Sequence, residues 1–376
     1  MNTKIAHFLS AHSPETPCLV VDLDLIAEAY DLLSRYLSIA SIYYAVKANP
    51  APEIVAMLAG KGSNFDVASP AEIALCLDNG AVAERLSFGN TIKKERDIAF
   101  AHARGVRLFA FDSQGELEKL ARCAPGARVF CRILVSCEGA DWPLSRKFGC
   151  TPEHAVRLLG EARRLGLDPY GVSFHVGSQQ TDLGQWDHAI GAVARMFTLL
   201  AETDIQLRMV NIGGGFPARY RSEVASVEQY AQAVTDALTR HFGNHLPEII
   251  VEPGRSLVGD AGLIQSEVVL ISDKGDGGDK RWVYLDVGKF NGLAETMGES
   301  IRYRIEAPGR TGAAGPVIIA GPTCDSADIL YERTDYRLPL DLEVGDKVEI
   351  LSAGAYTASY ASVGFNGFPP LRTYCI

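Results

Sequence analysis

The sequence predicts an α/β protein: a (β/α)8 barrel followed by a β-rich domain. Three observations carry this. Eight short runs rich in β-branched and aromatic residues recur, the early ones starting about 21–22 residues apart, which leaves room for strand, loop, helix and loop. Helical patterning fills the gaps between them. After about residue 260 the helical patterns give way to alternating apolar segments separated by Gly- and Asp-rich turns.

The candidate barrel strands are 41–46, 63–67, 85–88, 106–111, 128–135, 170–176, 207–212 and 248–251. The candidate helices are 52–61, 70–79, 93–104, 114–122, 152–165, 183–202 and 227–241. Several open with Pro or an acid in the first turn, as Pro52, Pro70 and Pro152 do. Eight such units in succession suggest a closed barrel. An open doubly wound sheet would usually carry a Gly-rich loop after its first strand, and this chain has none there. Beyond residue 260 the strand candidates are 263–271, 281–286, 317–319 and 347–351, with 275–279 a surface loop. The first 25 residues, including 18–22, read as extended and are expected to join them. The expected domains are thus a barrel over 26–260 and a β-sandwich or β-barrel-like domain from 1–25 plus 261–376.

Composition is that of an ordinary globular chain: 376 residues, 47% hydrophobic and 22% charged. The 36 basic residues against 46 acidic ones give a net charge of −10, which argues against nucleic acid as the main partner. The longest basic run, Lys93-Lys94-Glu95-Arg96, reads as a solvated helix turn. No stretch approaches the roughly 20 apolar residues of a membrane helix. The N-terminal segment carries His7, His12 and Glu15 in place of an apolar signal core, so no export signal is expected. The eight cysteines form no CxxC pair and no zinc spacing. No metal site is expected, and the thiols read as reduced in a cytoplasmic protein, most as small buried apolar residues.

In a barrel of this kind, chemistry sits at the carboxyl ends of the strands. Six such ends carry polar residues or glycines: Lys47 with Asn49, Asp66, Asn90, His175 with Ser178, Gly213-Gly214-Gly215, and Glu252 with Arg255. Each has a bland alternative. Lys47 could pair with Asp66 as a buried bridge, His175 could be a satisfied core histidine, the glycines could be a tight turn, and Glu252 could cap a helix or bridge to Arg255. One assembly uses them all, a pyridoxal phosphate site. A lysine leaving an apolar strand can condense with an aldehyde. Consecutive glycines can cradle a phosphate with backbone N–H groups. A carboxylate can keep the pyridine nitrogen protonated, and a histidine can lie against the ring.

The ordered blocks Tyr44-Ala-Val-Lys47-Ala-Asn49, Phe174-His175-Val-Gly-Ser178, Gly213-Gly-Gly-Phe-Pro217, Glu252-Pro-Gly-Arg255, Gly321-Pro-Thr-Cys324-Asp325 and Phe365-Asn-Gly367 carry a family resemblance. The chain resembles the alanine-racemase-fold, pyridoxal-phosphate-dependent amino acid decarboxylases, and within them the bacterial-type ornithine decarboxylases, over roughly residues 17–376. The resemblance implies a head-to-tail homodimer with two shared active sites. It makes Lys47 the Schiff-base lysine and places Asp66 and His175 at the cofactor. Ser178, Gly213, Gly214, Gly215, Arg255 and Tyr356 would contact the phosphate, and Glu252 the pyridine nitrogen. Cys324 and Asp325 would reach in from the partner subunit, Cys324 to return a proton to the α-carbon and Asp325 to hold a distal ammonium. The bland alternatives are a buried β-domain thiol for Cys324 and core packing for Tyr356.

The resemblance also bears on substrate. Racemases of this fold usually place an arginine at the pyridine nitrogen, so Glu252 favours decarboxylation. Diaminopimelate decarboxylases usually read Cys-Glu-Ser where this chain reads Cys324-Asp325-Ser326. Asp325 suits a simple terminal ammonium, that of L-ornithine or of L-lysine, and one methylene between these is worth only about 1–3 kcal/mol. The favoured activity is conversion of L-ornithine to putrescine and carbon dioxide. A lysine or dual lysine/ornithine decarboxylase, then a diaminopimelate decarboxylase, follow it. A pyridoxal-phosphate-binding regulator is the non-enzyme alternative. Glu295 and Glu299 are both candidates for a second acid in the substrate pocket, and Arg132 and Arg146 for an arginine that the animal members place near the fifth strand.

Overall fold

A computed structural model describes residues 3–142, 147–275 and 279–376. The chain divides into two compact units. One is built from Ala27–Pro217 and Val224–Gly254, the other from Met1–Ile26, Ala218–Glu223 and Arg255–Ile376.

The chain opens with α1 (Thr3–His12), β1 (Cys18–Val21) and α2 (Leu23–Tyr36). The strands of the first unit are then β2 (Ala40–Ala45), β3 (Asn64–Val67), β4 (Leu86–Phe88), β5 (Leu108–Phe111) and β6 (Arg128–Arg132). They continue with β7 (Ala140–Trp142), β8 (Asp168–Ser173), β9 (Ser178–Gln180), β10 (Met209–Asn211) and β11 (Glu248–Val251). All but β7 and β9 close into one barrel in the order β10-β11-β2-β3-β4-β5-β6-β8, and every neighbouring pair is parallel. The expected (β/α)8 barrel is therefore present, with all eight strands at the anticipated places. Tyr43, Leu108, Ala110, Phe130, Met209 and Ile250, from five different strands, pack into one buried cluster. Side chains fill this barrel, as the alternation of residues along its strands requires.

The helices between the strands are α3 (Pro52–Gly60), α4 (Pro70–Asp78), α5 (Glu95–Ala103), α6 (Gln114–Cys123), α7 (Pro152–Arg164), α8 (Gly184–Ala201) and α9 (Val227–Phe242). Their starts follow local chemistry. The Ser69 hydroxyl accepts the Glu72 N–H at α4, Thr151 accepts the His154 N–H at α7, and Ser226 and Gln229 form a reciprocal capping box at α9.

The second unit continues with a short α10 (Arg255–Val258) and then β12 (Gly262–Ser272), β13 (Arg281–Leu285), β14 (Arg304–Glu306), β15 (Ala314–Ala320), β16 (Ile329–Pro339), β17 (Lys347–Leu351) and β18 (Arg372–Cys375). Together with β1 they form one eight-stranded sheet. The β-rich character expected after residue 260 is thus present. Strands β14, β16 and β18 were not visible as alternating segments. The turn expected over 275–279 falls partly on residues 276–278, outside the described residues.

Three local expectations need correction. The first 25 residues are not extended throughout, because residues 3–12 form α1. Ile5 and Leu9, one helical turn apart, bury a single face against Cys18, Val20 and Leu263, and each such side chain contributes about 1.5–3 kcal/mol. Helix α2 was not anticipated, although Ile26, Tyr30, Leu33 and Leu37 repeat at helical spacing and are buried. Lys93 is not part of a solvated turn. Its side chain is fully buried, with Nζ 3.0 Å from Glu116 Oε1 and donating to the carbonyls of Asn90 and Ala110 at 2.7 Å each. Burial pulls its pKa down to about 8, although Glu116 opposes the shift.

All eight cysteines are free, but only Cys18, Cys76 and Cys131 are fully buried. Among the described residues no helix is long and apolar enough to cross a membrane.

Candidate active site

Strand β2 runs into a single 3-10 turn, Val46–Ala48. The buried Tyr44 hydroxyl donates to the Asn49 carbonyl at 2.8 Å, and Asn49 Oδ1 accepts the Ala51 N–H at 3.2 Å. This staple keeps Val46 and Ala48 inside and turns Lys47 outward, with 48% of its side chain exposed. Lys47 Nζ lies 3.5 Å from Asp66 Oδ2 on β3. The bridge entertained as the bland alternative therefore exists, but it leaves Lys47 open to solvent.

Asp66 is 5% exposed, and its Oδ1 is buried without a hydrogen-bond partner. Burial, and then the charge of Glu252, raise its pKa well above the ordinary carboxylate range, while Lys47 pulls it back. Gly89, which follows β4, is what lets Asp66 fit: a Cβ there would come 2.0 Å from Asp66 Oδ1.

His175 follows β8. Its Nδ1 accepts the Gly177 N–H at 3.1 Å, so in the neutral ring the proton sits on Nε2. Burial, then Arg132 and Lys47, hold its pKa well below the usual value and keep it neutral. Ser178 lies in β9, opposite Trp142 of β7. Arg132 ends β6 with its guanidinium 5.3 Å from the centre of the Phe148 ring. Burial lowers its pKa against the pull of Glu252, Asp66 and Asp112. Arg146 lies outside the described residues.

The three glycines after β10 are packed backbone to backbone. A Cβ on Gly213 (φ +66°) would lie 2.4 Å from the Phe174 carbonyl oxygen, and one on Gly214 would lie 2.5 Å from that of Glu252. Gly215 (φ +98°) meets the Gly177 carbonyl in the same way. Among the described residues, neither the Gly214 nor the Gly215 N–H donates to a protein acceptor. Glu252, just after β11, donates its own N–H to Gly213 O at 2.8 Å. Its Oε1 accepts from Nδ2 of Asn211, a fully buried residue at the end of β10.

Lys47, Asp66, His175, Gly213, Gly214, Gly215 and Glu252 thus share one rim of one barrel. Sequence reasoning missed Asn211, Gly89 and the Tyr44–Asn49 staple. An asparagine interrupting the apolar run Met209-Val-Asn-Ile212 was a signal for the first.

Ser178 and Arg132 belong to the same unit, whereas Arg255, Glu295, Glu299, Cys324, Asp325 and Tyr356 belong to the second. Arg255 opens α10 and is 3% exposed. It grips Glu295 with two parallel bonds of 2.8 and 2.7 Å and donates to the Tyr220 hydroxyl at 2.6 Å. Tyr356, half-buried and held at φ +59°, sets its ring 5.0 Å from the same guanidinium. Glu299 faces its own domain. It accepts backbone N–H groups from Glu332, Arg333 and Thr334 and the Thr334 hydroxyl. Burial works against its charge, but these donors prevail and hold its pKa down to about 2.

Cys324 and Asp325 are exposed, so Cys324 is not a buried structural thiol. The Cys324 N–H donates to Asn366 Oδ1 at 2.9 Å, which joins two of the sequence blocks. Behind them the buried Asp328 accepts the Lys289 N–H at 2.8 Å and the Thr323 N–H and hydroxyl at 3.1 and 2.7 Å. A Cβ on either Gly288 or Gly321 would come within 2.5 Å of it.

The barrel rim fits pyridoxal phosphate on three counts. It offers an accessible amine in Lys47, two backbone N–H groups without a protein acceptor in a turn too tight for any side chain, and a buried Asp66 oxygen that lacks a partner.

Comparison with known proteins agrees. The chain is 35% identical over 355 residues to a lysine/ornithine decarboxylase of Selenomonas ruminantium, covering 94% of this chain and 88% of that one. It is 32% identical over 366 residues to antizyme inhibitor 2 of Xenopus laevis, covering 92% and 79%. The crystal structure of a lysine/ornithine decarboxylase complexed with cadaverine, from Vibrio vulnificus, superposes with a TM-score of 0.89 at 30% identity, covering 100% of this chain and 99% of that one. Residues 23–259 match the family described as pyridoxal-dependent decarboxylase, pyridoxal binding domain. With a pyridoxal cofactor, a decarboxylase barrel and relatives acting on basic amino acids, the chain belongs to the pyridoxal-dependent decarboxylase family of alanine-racemase fold.

Proposed function

We propose that the protein decarboxylates L-ornithine to putrescine and carbon dioxide, as a cytoplasmic homodimer whose subunits share their active sites. The observation that carries the substrate is the exposed Cys324-Asp325 pair. A single carboxylate suits one distal ammonium and offers nothing to a distal carboxylate. Lysine is the second reading, supported by the Selenomonas relative's name and by the cadaverine in the Vibrio complex. A non-catalytic regulator is the third, supported by the antizyme inhibitor relative.

Pyridoxal phosphate, when bound, supplies an aldehyde that joins to amines and a cationic ring that withdraws electrons from the substrate α-carbon. Lys47 Nζ is the amine that would hold the aldehyde. Asp66 Oδ2, 3.5 Å away, is placed to exchange a proton with it. Glu252 would keep a proton on the ring nitrogen, and Asn211 fixes that carboxylate. Neutral His175 would lie against the ring and exclude water there. Gly214 and Gly215 would offer their N–H groups to the phosphate, with Ser178 of the same unit as a further contact. Cys324 would return a proton to the α-carbon, and Asp325 would hold the substrate's far ammonium by a charge-assisted bond.

Carbon dioxide release from L-ornithine, L-lysine and meso-diaminopimelate, measured in parallel, tests the assignment. The greatest kcat/KM is expected for ornithine. A greater value for lysine would favour the second reading, and release from none the third.

A further inference from the structure

We propose that Asn211 is a positioning residue that locks the phosphate-binding turn and the ring-nitrogen acid into one unit. The proposal rests on the pyridoxal phosphate reading of the barrel rim and adds to it.

Three bonds close a ring. Asn211 Oδ1 accepts the Gly213 N–H at 2.9 Å, Gly213 O accepts the Glu252 N–H at 2.8 Å, and Glu252 Oε1 accepts from Asn211 Nδ2. The amide's orientation follows from chemistry. A backbone N–H can only donate, so the oxygen of Asn211 must face Gly213. Its NH2 group is then left for a carboxylate that can only accept. Asn211 has no exposed surface, so both of its ends are spent on these two partners. One end sets the conformation of a turn that tolerates no side chain, and the other sets the direction of the Glu252 carboxylate. No other residue type of this size supplies a donor and an acceptor back to back at neutral pH. Among the described residues, Asp66, Arg132 and the Tyr43 phenol act electrostatically on Glu252, and His175 lies across Gly214 from it. They remain the same in every variant below.

Asn211→Asp separates the two ends. Its carboxylate still accepts from Gly213 but has nothing to donate to Glu252 until it is protonated. Asn211→Ala removes both ends at every pH. The affinity of each apo-protein for pyridoxal 5′-phosphate, read by fluorescence titration from pH 8 to pH 5.5, tests the proposal. Circular dichroism of each variant reports folding separately.

Both variants are expected to bind at least tenfold more weakly than wild type at pH 8. The deficit of Asn211→Asp should narrow severalfold as the pH falls, while that of Asn211→Ala stays constant. If Asn211→Ala fails to fold, the deficit of Asn211→Asp and its narrowing decide alone. Binding of either variant within twofold of wild type at pH 8 would overturn the proposal, as would a pH-independent deficit in Asn211→Asp. Wild-type protein that binds no cofactor would instead sink the site reading itself.

Discussion

Lys47 Nζ and Asp66 Oδ2 stand 3.5 Å apart at the barrel rim, and the second oxygen of Asp66 is buried with no partner. The contact is one-sided, because the amine is half exposed and the acid is not. The acid's raised pKa sets the sign of its effect on stability. A carboxyl whose folded pKa lies above its unfolded value favours folding at low pH, and that advantage is lost as pH rises through the folded pKa. Asp66→Asn apo-protein should therefore outlast wild type in urea at pH 8. The two midpoints should converge as pH falls into the ordinary carboxylate range. A variant no more stable than wild type at pH 8 would refute this account of Asp66.

The Lys93–Glu116 pair offers a second test. Both side chains are almost wholly buried, and Lys119 reaches the other oxygen of Glu116 at 2.5 Å. Removing one partner strands a buried charge, whereas replacing both with apolar groups does not. Lys93→Met should be destabilising, by less than the about 3–5 kcal/mol of a fully stranded charge, because Lys119 still reaches Glu116. Adding Glu116→Leu should restore most of that loss. Additive losses in equilibrium unfolding would show that the two do not act as a pair.

Glu299 gives the opposite pH dependence to Asp66. Its ordinary value of 4.5 is held down to about 2 by the Thr334 hydroxyl and three backbone N–H groups. A depressed carboxyl contributes stability that is present above its unfolded pKa and lost as pH falls through the folded one. The contribution at neutral pH is about 3 kcal/mol. Glu299→Gln should be less stable than wild type at pH 7, with the gap closing between pH 4.5 and pH 2. A gap unchanged at pH 3 would contradict the assignment.

Shared active sites predict complementation. Lys47→Ala and Cys324→Ala chains, each inactive or misdirected alone, should regain up to about a quarter of wild-type activity when mixed under conditions that exchange subunits. That fraction is what random pairing gives when half of the dimers are mixed and each has one intact site. No recovery despite exchange would place both residues in the same subunit's site. Borohydride should fix cofactor to Cys324→Ala but not to Lys47→Ala.

The sequence disclosed the barrel because its strands are apolar runs at even spacing, which is the strongest local signal a chain can carry. It disclosed Lys47, His175 and Glu252 because polar residues that end apolar strands stand out. It hid Asn211 and Gly89, whose importance lies in what touches them. It also misled at Lys93, where a run of four charged residues looks solvated until strand β5 is seen to supply a carbonyl. Helix α1 was missed for a similar reason: its apolar face of Ile5 and Leu9 is too short to register before β1 and β12 are there to cover it. Glu295 and Glu299 were indistinguishable as letters. Only the fold shows that one grips Arg255 and the other binds the irregular middle of β16.

Asp328 wedges between Gly288 and Gly321 while holding Lys289 and Thr323 in place. A heavier residue at either glycine, or a different one at Asp328, would break the joint from one side only, so the three positions are expected to drift together or not at all. Cys324, Asp325 and Ser326 hang from that joint in open water. On the proposed reading, in which Cys324 and Asp325 meet the substrate, this short loop is where substrate preference could change at little cost to the joint behind it.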